Sequence, residues 1–212
     1  MYTEIYGIAL RSLLISSTAT LLALVWSIPF TAKLISIRHR SKDIIIGIFN
    51  TLIGLPTVLV GLVLYLLFSY SGPLGFLELL YTPYTIIIGE SILITPLVIS
   101  LLYEVFSRAY NEYWELALTL GADKLQAYKL IIREVISDIF VVSLISFSRA
   151  IGELGVALIV GGNIKGYTRV FTTAIALEIE KGEFETAIIL GLLLFIVVLS
   201  VILTARIIKR RV

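Results

Sequence analysis

The chain is a succession of apolar runs, each about twenty residues or longer, separated by short charged stretches. A run of that length lets an α-helix cross hydrocarbon, because a helix rises about 1.5 Å per residue and the core is about 30 Å thick. In lipid every backbone amide needs a partner within the protein, so the spanning elements are helices or a closed barrel. The runs lack the period-two alternation of a barrel wall, which leaves helices. Five spans are expected, at 10–36, 44–69, 84–106, 135–160 and 186–208. Hydrophobic residues make up 58% of the chain, which excludes an ordinary soluble domain. The first run starts near Leu10 and is too long and too poorly flanked for a cleavable signal peptide.

Reactive side chains are scarce. There is no Cys, which removes disulfides and thiol chemistry. His39 is the single His, which argues against a His-based metal centre or a His-dependent triad. The net charge of +2 gives no reason to expect a nucleic-acid partner.

The position of the charges is more informative. Lys33, Arg38, Arg40 and Lys42 flank the first turn, RHRSK at 38–42. Arg108, Lys124, Lys129 and Arg133 lie in or beside the third connection, and Arg206, Lys209, Arg210 and Arg211 end the chain. With five spans these groups share one side and hold twelve of the seventeen Lys and Arg, against only Lys165, Arg169 and Lys181 in the opposite loops. The positive-inside rule then places the N-terminus outside and the C-terminus in the cytoplasm.

The third connection, within 107–134, contains NEYWELALTLGADKLQAYKLIIRE at 111–134. It is too polar to span and too regular for slack loop. Residues 111–120 suit a short helix with Trp114, Ala117, Leu118 and Gly121 on one face. Gly121 suits a left-handed C-terminal turn. Asp123 then caps a second helix, with Gln126 completing a capping box. That helix presents Leu125, Tyr128 and Ile132 on one side. Patterning alone leaves two readings open: a stripe buried in a partner's groove, or an amphipathic linker on the membrane surface.

Within the spans, Arg149 and Glu153 are four residues apart and can pair along one face, and Glu90 lies in the third span. Intramembrane charges cost about 2.5–3.5 kcal/mol each on insertion scales and usually face protein interior or water. Arg149 either helps an anion pass or gates it, with Glu153 holding its guanidinium, or the two form a structural pair. Glu153 reads as structural; Arg149 stays open between the two roles. A weakly polar lumen of Ser, Thr and Gly is an equal alternative for the pathway.

Gly152, Gly155, Gly161 and Gly162 punctuate the fourth span and its exit, and GGNIKG reads as a turn at the outer mouth. It follows a membrane helix rather than a strand and lacks a following Ser or Thr, so it is not a phosphate cradle. Asn163, Lys165, Thr168 and Arg169 at this mouth are candidates to meet an incoming anion or an external protein. The stretch 168–180 is read as an external or partly re-entrant helix, not a sixth span. Pro29, Pro56, Pro83 and Pro96 are expected to kink or start helices. Glu178, Glu180, Glu183 and Glu185 read as a solvated face, and no metal site is expected.

Glu115 to Gly121, E-L-A-x-x-x-G, resembles the E-A-A-x-x-x-G signature of ABC-importer permeases. Leu116 replaces the first Ala, and Arg133-Glu134 stands where most relatives have Leu-Pro. That Arg-Glu ending resembles the tungstate branch of the molybdate, tungstate and sulfate permeases. So do LPTVLVGLVLYLLFS (55–69), SGPLG (71–75), YTP (81–83) and SRAIGELGVALIVGGNI…TRVFTTAI (148–175). The resemblance covers nearly the whole chain. It implies a single all-α polytopic domain over 1–212 with the type I importer-permease fold, in a prokaryotic inner membrane. It implies a homodimer in lipid, two ATPase subunits carrying ATP and Mg, and an extracytoplasmic oxyanion-binding protein. It gives Glu115, Ala117, Gly121, Ala122, Asp123 and Leu125 to ATPase coupling. No GxxxxGK[ST] motif is present, so nucleotide is expected on another polypeptide and no cofactor on this one.

Tungstate is the expected cargo, with molybdate or sulfate as alternatives. An ATP-independent anion channel or carrier is a further reading, weakened by the lack of an evident inverted repeat. A membrane enzyme ranks far below, with no HExxH and no acid–base constellation.

Overall fold

The computed structural model describes residues 2–35 and 41–211, with side chains over 4–35 and 42–208. Arg38, His39 and Arg40, and the side chains of Lys209, Arg210 and Arg211, lie outside the described residues. Among the described residues the chain is all-helical. The helices are α1 (Tyr2–Ile35), α2 (Ser41–Leu52), α3 (Thr57–Phe68), α4 (Pro83–Thr119), α5 (Lys124–Glu134), α6 (Ile136–Ile151), α7 (Gly155–Gly161), α8 (Phe171–Glu180) and α9 (Phe184–Arg211).

Three of these helices, α1, α4 and α9, are long and apolar enough to cross a membrane unaided. Two bent pairs, α2–α3 and α6–α7, bring the number to five when each pair is one span. Where the sequence suggests single helices at 44–69 and 135–160, each is therefore broken, by 93° and 61° respectively. The first break falls at Gly54-Leu55-Pro56. Proline has no N–H to donate and disfavours helical geometry in the residue before it, so α3 restarts with Pro56 at its N-cap. The second falls after Gly152, and Gly155 restarts the helix.

Two other boundaries differ from the sequence reading. Helix α1 begins at Tyr2 rather than near Leu10. The third span does not stop at 106: α4 runs unbroken for 37 residues to Thr119, about 55 Å at the standard rise. No Gly or Pro interrupts 97–119, so the polar segment continues the membrane helix instead of forming a separate one. Pro29 and Pro96 sit inside continuous helices, while Pro83 starts α4. Helix α8 has 10 residues, about 15 Å, too short to span.

Helices α1 and α4 pack side by side in parallel, with Ser16 beside Glu90 and the Trp26 indole donating to Thr95 Oγ1 at 2.8 Å. One apolar cluster joins α1, α4, α5 and α6 through Leu24, Val98, Leu102, Phe106, Ile131 and Val142. A second packs α3 and α7 against α4 through Leu64, Phe68, Ile86 and Val156. A third seats α8 and α9 on α1 through Ile8, Phe171 and Leu190. Helix α9 leaves Leu192, Phe195, Ile196, Leu199 and Leu203 exposed, an apolar exterior that suits lipid.

Candidate functional site

The predicted residues gather at three places. The first is the elbow between α4 and α5. Helix α4 ends in a Schellman turn: Ala122 N donates to Ala117 O at 3.0 Å and Gly121 N to Leu118 O at 3.1 Å. Gly121 takes φ +89°, and nothing lies within 4 Å of where its Cβ would be. A glycine is needed there for backbone conformation, not for space. Asp123 then caps α5: Gln126 N donates to Asp123 Oδ1 at 2.8 Å, and Asp123 N to Gln126 Oε1 at 2.9 Å. This is the capping box read from the sequence.

The stripe read along 111–121 splits: Leu118 and Gly121 are exposed, while Trp114 and Ala117 are not. Trp114 turns inward, its ring 4.9 Å from both Tyr110 and Tyr128. Ala117 is buried, as is Ala127. Because α5 folds back beneath α4, the face carrying Trp114 and Ala117 packs within the elbow. Leu116, Leu120 and Leu125 face outward instead, and Leu120 is 80% exposed at the tip. Glu115 is exposed and borders a recess of about 230 Å³ with Lys42, Tyr103, Asn111 and Trp114.

The second place is the α6–α7 break. Arg149 Nη1 meets Glu153 Oε2 at 2.8 Å, with the Arg side chain 42% exposed and the Glu side chain 4%. Glu153 lies just past the end of α6 and joins three elements. Its Oε1 accepts from Gly155 N at 2.9 Å, at the start of α7, and its carbonyl accepts from Thr172 Oγ1 of α8 at 2.7 Å. A Cβ on Gly155 would stand 2.5 Å from Thr57 Oγ1 and 3.1 Å from Val58 N, so the starts of α7 and α3 touch. The two breaks thus meet around an apolar recess of about 480 Å³ lined by Thr57, Val58, Gly152, Glu153, Leu154 and Leu158.

Glu90 belongs to the same neighbourhood. It is buried on α4, with Ser16 of α1 as its hydrogen-bonding neighbour and the Glu153 charge within reach. Among the described residues, Glu90 Oε2, Ser27 Oγ, Thr31 Oγ1 and Ser100 Oγ are buried without a partner, on α1 or α4. Sequence reasoning missed the α1 side of this seam, Ser12, Ser16, Thr20, Ser27 and Thr31, all buried. Their spacing of four within each group was a legible signal of one helix face.

The third place is the turn after α7. Gly162 and Asn163 both have positive φ, 67° and 50°. Thr168 is fully buried: its hydroxyl donates to Gly161 O at 2.5 Å and accepts from Ile164 N at 2.9 Å. Thr168 therefore holds the turn and presents nothing to a visitor. Asn163 Nδ2 reaches Thr173 O at 3.1 Å, and its Oδ1 accepts from Arg169 Nε at 3.2 Å. Lys165 and Arg169 both pair with Glu4, at 3.1 and 3.0 Å, a partner the sequence reading did not supply. Further on, Glu178 pairs with Lys181, whereas Glu180, Glu183 and Glu185 are exposed. Among the described residues no group of His, Cys, Asp or Glu converges as a metal site.

Residues 25–212, covering all of this beyond the first part of α1, match the inner membrane component of binding-protein-dependent transport systems. The chain belongs to this family. Within it the chain is 42% identical over 194 residues to the tungstate uptake system permease protein TupB of Peptoclostridium acidaminophilum, covering 92% of this chain and 85% of that one. It is 35% identical over 204 residues to a probable anion ABC transporter permease protein of Haloferax volcanii, covering 94% and 88%. To the molybdenum transport system permease protein ModB of Azotobacter vinelandii it is 28% identical over 181 residues, covering 82% and 80%. Membership makes the chain a multi-pass membrane transport permease.

Proposed function

We propose that the chain is the pore-forming subunit of an ATP-driven importer of a tetrahedral oxyanion, with tungstate as the first cargo. It works as a homodimer with two ATPase subunits and an external binding protein, its N-terminus outside and its C-terminus in the cytoplasm. The observation that carries this reading is the continuity of α4. One rigid helix runs from Glu90, beside the α6–α7 break, to the elbow, about 44 Å away at the standard rise. Exposed Leu116, Leu120 and Leu125, with Glu115 and the Gly121 turn, form a short bent knob suited to a groove on an ATPase. Closure of the ATPase pair pulls on this knob, and α4 carries the displacement to the break.

At the break, Arg149 is half-exposed on the protomer at a depth where lipid would make a free guanidinium costly. That supports a place on a watery passage or at the seam with the second protomer. Glu153 balances and orients it, so the passage offers a partly neutralised cation that attracts a dianion without trapping it. The relative named for tungstate uptake supports that cargo. The molybdenum relative favours molybdate as the second reading, because the two anions share shape and charge. The test is radiolabelled tungstate uptake by the reconstituted complex, with molybdate and sulfate as competitors. Tungstate uptake blocked by excess unlabelled tungstate, but not by equal sulfate, is expected. Sulfate competing as well as tungstate overturns the cargo assignment.

A further inference from the structure

A cavity of about 380 Å³ opens between the first turns of α1, the turn after α7, the end of α8 and the start of α9. It is lined by Glu4, Lys165, Arg169, Glu178 and Lys181, above an apolar floor that includes Ile8 and Leu190. Arg11 stands behind it, its Nε donating to the Arg169 carbonyl at 3.1 Å. Lys165, Arg169 and Lys181 thus face Glu4 and Glu178 across the cavity, one more cation than carboxylates, and Arg11 adds positive charge behind it, while Glu180, Glu183 and Glu185 lie exposed outside the lining. The volume is many times the roughly 30 Å³ that one water occupies in the liquid, so a hydrated small anion fits.

Arg169 is preorganised. Asn163 Oδ1 and O accept from its Nε and Nη2 at 3.2 and 3.4 Å, which leaves Nη1 directed at Glu4 Oε1, 3.0 Å away. The other oxygen of Glu4 meets Lys165 Nζ at 3.1 Å. One carboxylate thus bridges a Lys and an Arg, as two oxygens of a tetrahedral oxyanion would. We infer that this cavity is an oxyanion-receiving site on the outer face, in which the Glu4 carboxylate is the resident counter-ion that an incoming dianion displaces. The inference rests on the import reading and its orientation, and deepens it by naming where the released anion first lands.

Recession favours a small anion over the acidic surface of a docked protein. The Arg169 side chain is only 12% exposed, out of reach of a flat protein face but open to an ion entering the cavity. Lys165, 70% exposed, stands at the rim and can follow the anion inward. Glu4 sits in the first turn of α1 and is held by side chains alone, so its displacement breaks no backbone bond.

The test uses the full-length permease in lipid nanodiscs, without the binding protein, equilibrated with radiolabelled tungstate at increasing NaCl. Glu4→Gln removes the competing charge and is expected to tighten retention about tenfold at low salt, fading as salt screens the cluster. Lys165→Gln, at an exposed position that tolerates change, and the conservative Arg169→Lys are each expected to weaken it. Retention identical in wild type, Glu4→Gln and Lys165→Gln overturns the inference. So does a parallel titration of the same nanodiscs with the binding protein in which the substitutions change its affinity while tungstate retention is unmoved, which would make the cavity a protein-docking face. Uptake by the complete wild-type transporter, measured alongside, separates the two readings. If that transporter takes up no tungstate, the import reading fails; if it does and retention does not respond to the substitutions, only the cavity assignment fails.

Discussion

Glu153 ties three elements together at the α6–α7 break. Its carboxylate holds Arg149 and the first amide of α7, and its carbonyl receives α8. Arg149 is only half enclosed by its own protomer, so little of the packing within that protomer depends on its guanidinium. Arg149→Ala is accordingly expected to leave the dimer and basal ATPase activity intact while uptake falls to background. Dissociation of the complex, seen by size-exclusion chromatography, would mark the pair as architectural. At the other end of α4, Gly121→Ala is expected to cost about 1 kcal/mol, read from thermal unfolding in detergent, because alanine resists a positive φ. The capping box at Asp123 and the turn at Gly121 were legible because both are set by residues within five positions of each other. The inward turn of Trp114 was not legible, since it depends on Tyr128 arriving from α5.

Helix breaks carry the next level of organisation. Hydropathy averaged over a span hides a bend, so 44–69 and 135–160 each read as one run, but Pro56, expected to kink or start a helix, does start α3, and Gly152 and Gly155 flank the second break. Those residues mark where a helix can break; the bends are 93° and 61°, and beyond them α3 and α7 share one apolar cluster. Gly155→Ala is expected to destabilise the fold by about 1–3 kcal/mol, because its methyl meets Thr57 Oγ1 at 2.5 Å. Adding Thr57→Ala is expected to recover part of that loss, not all of it, since Val58 N remains at 3.1 Å. Equal melting temperatures for the single and double variants would show that the two helix starts do not bear on each other. Helix α4 was misread in the opposite sense: the change from apolar to charged composition after Phe106 suggested an end where only the environment changes.

Taken together, the three long helices, the two bent pairs and the parallel α1–α4 packing fit a multi-pass transport permease. The span count and the likeness to importer permeases were legible from run length and the 115–121 and 148–175 motifs. The ion-pair cluster at Glu4 was not, because it joins residues 165 positions apart. With no native Cys, Lys124→Cys is expected to react with a membrane-impermeant thiol reagent only from the cytoplasmic side, and labelling from outside would reverse the orientation. The dependence of transport on an ATPase seated at the elbow is tested by tungstate uptake into vesicles holding the permease with its binding protein, ATP inside, and the ATPase subunits present or withheld. Uptake only when the ATPase is present is expected; equal uptake without it would contradict an ATP-driven permease and leave a channel or carrier in its place.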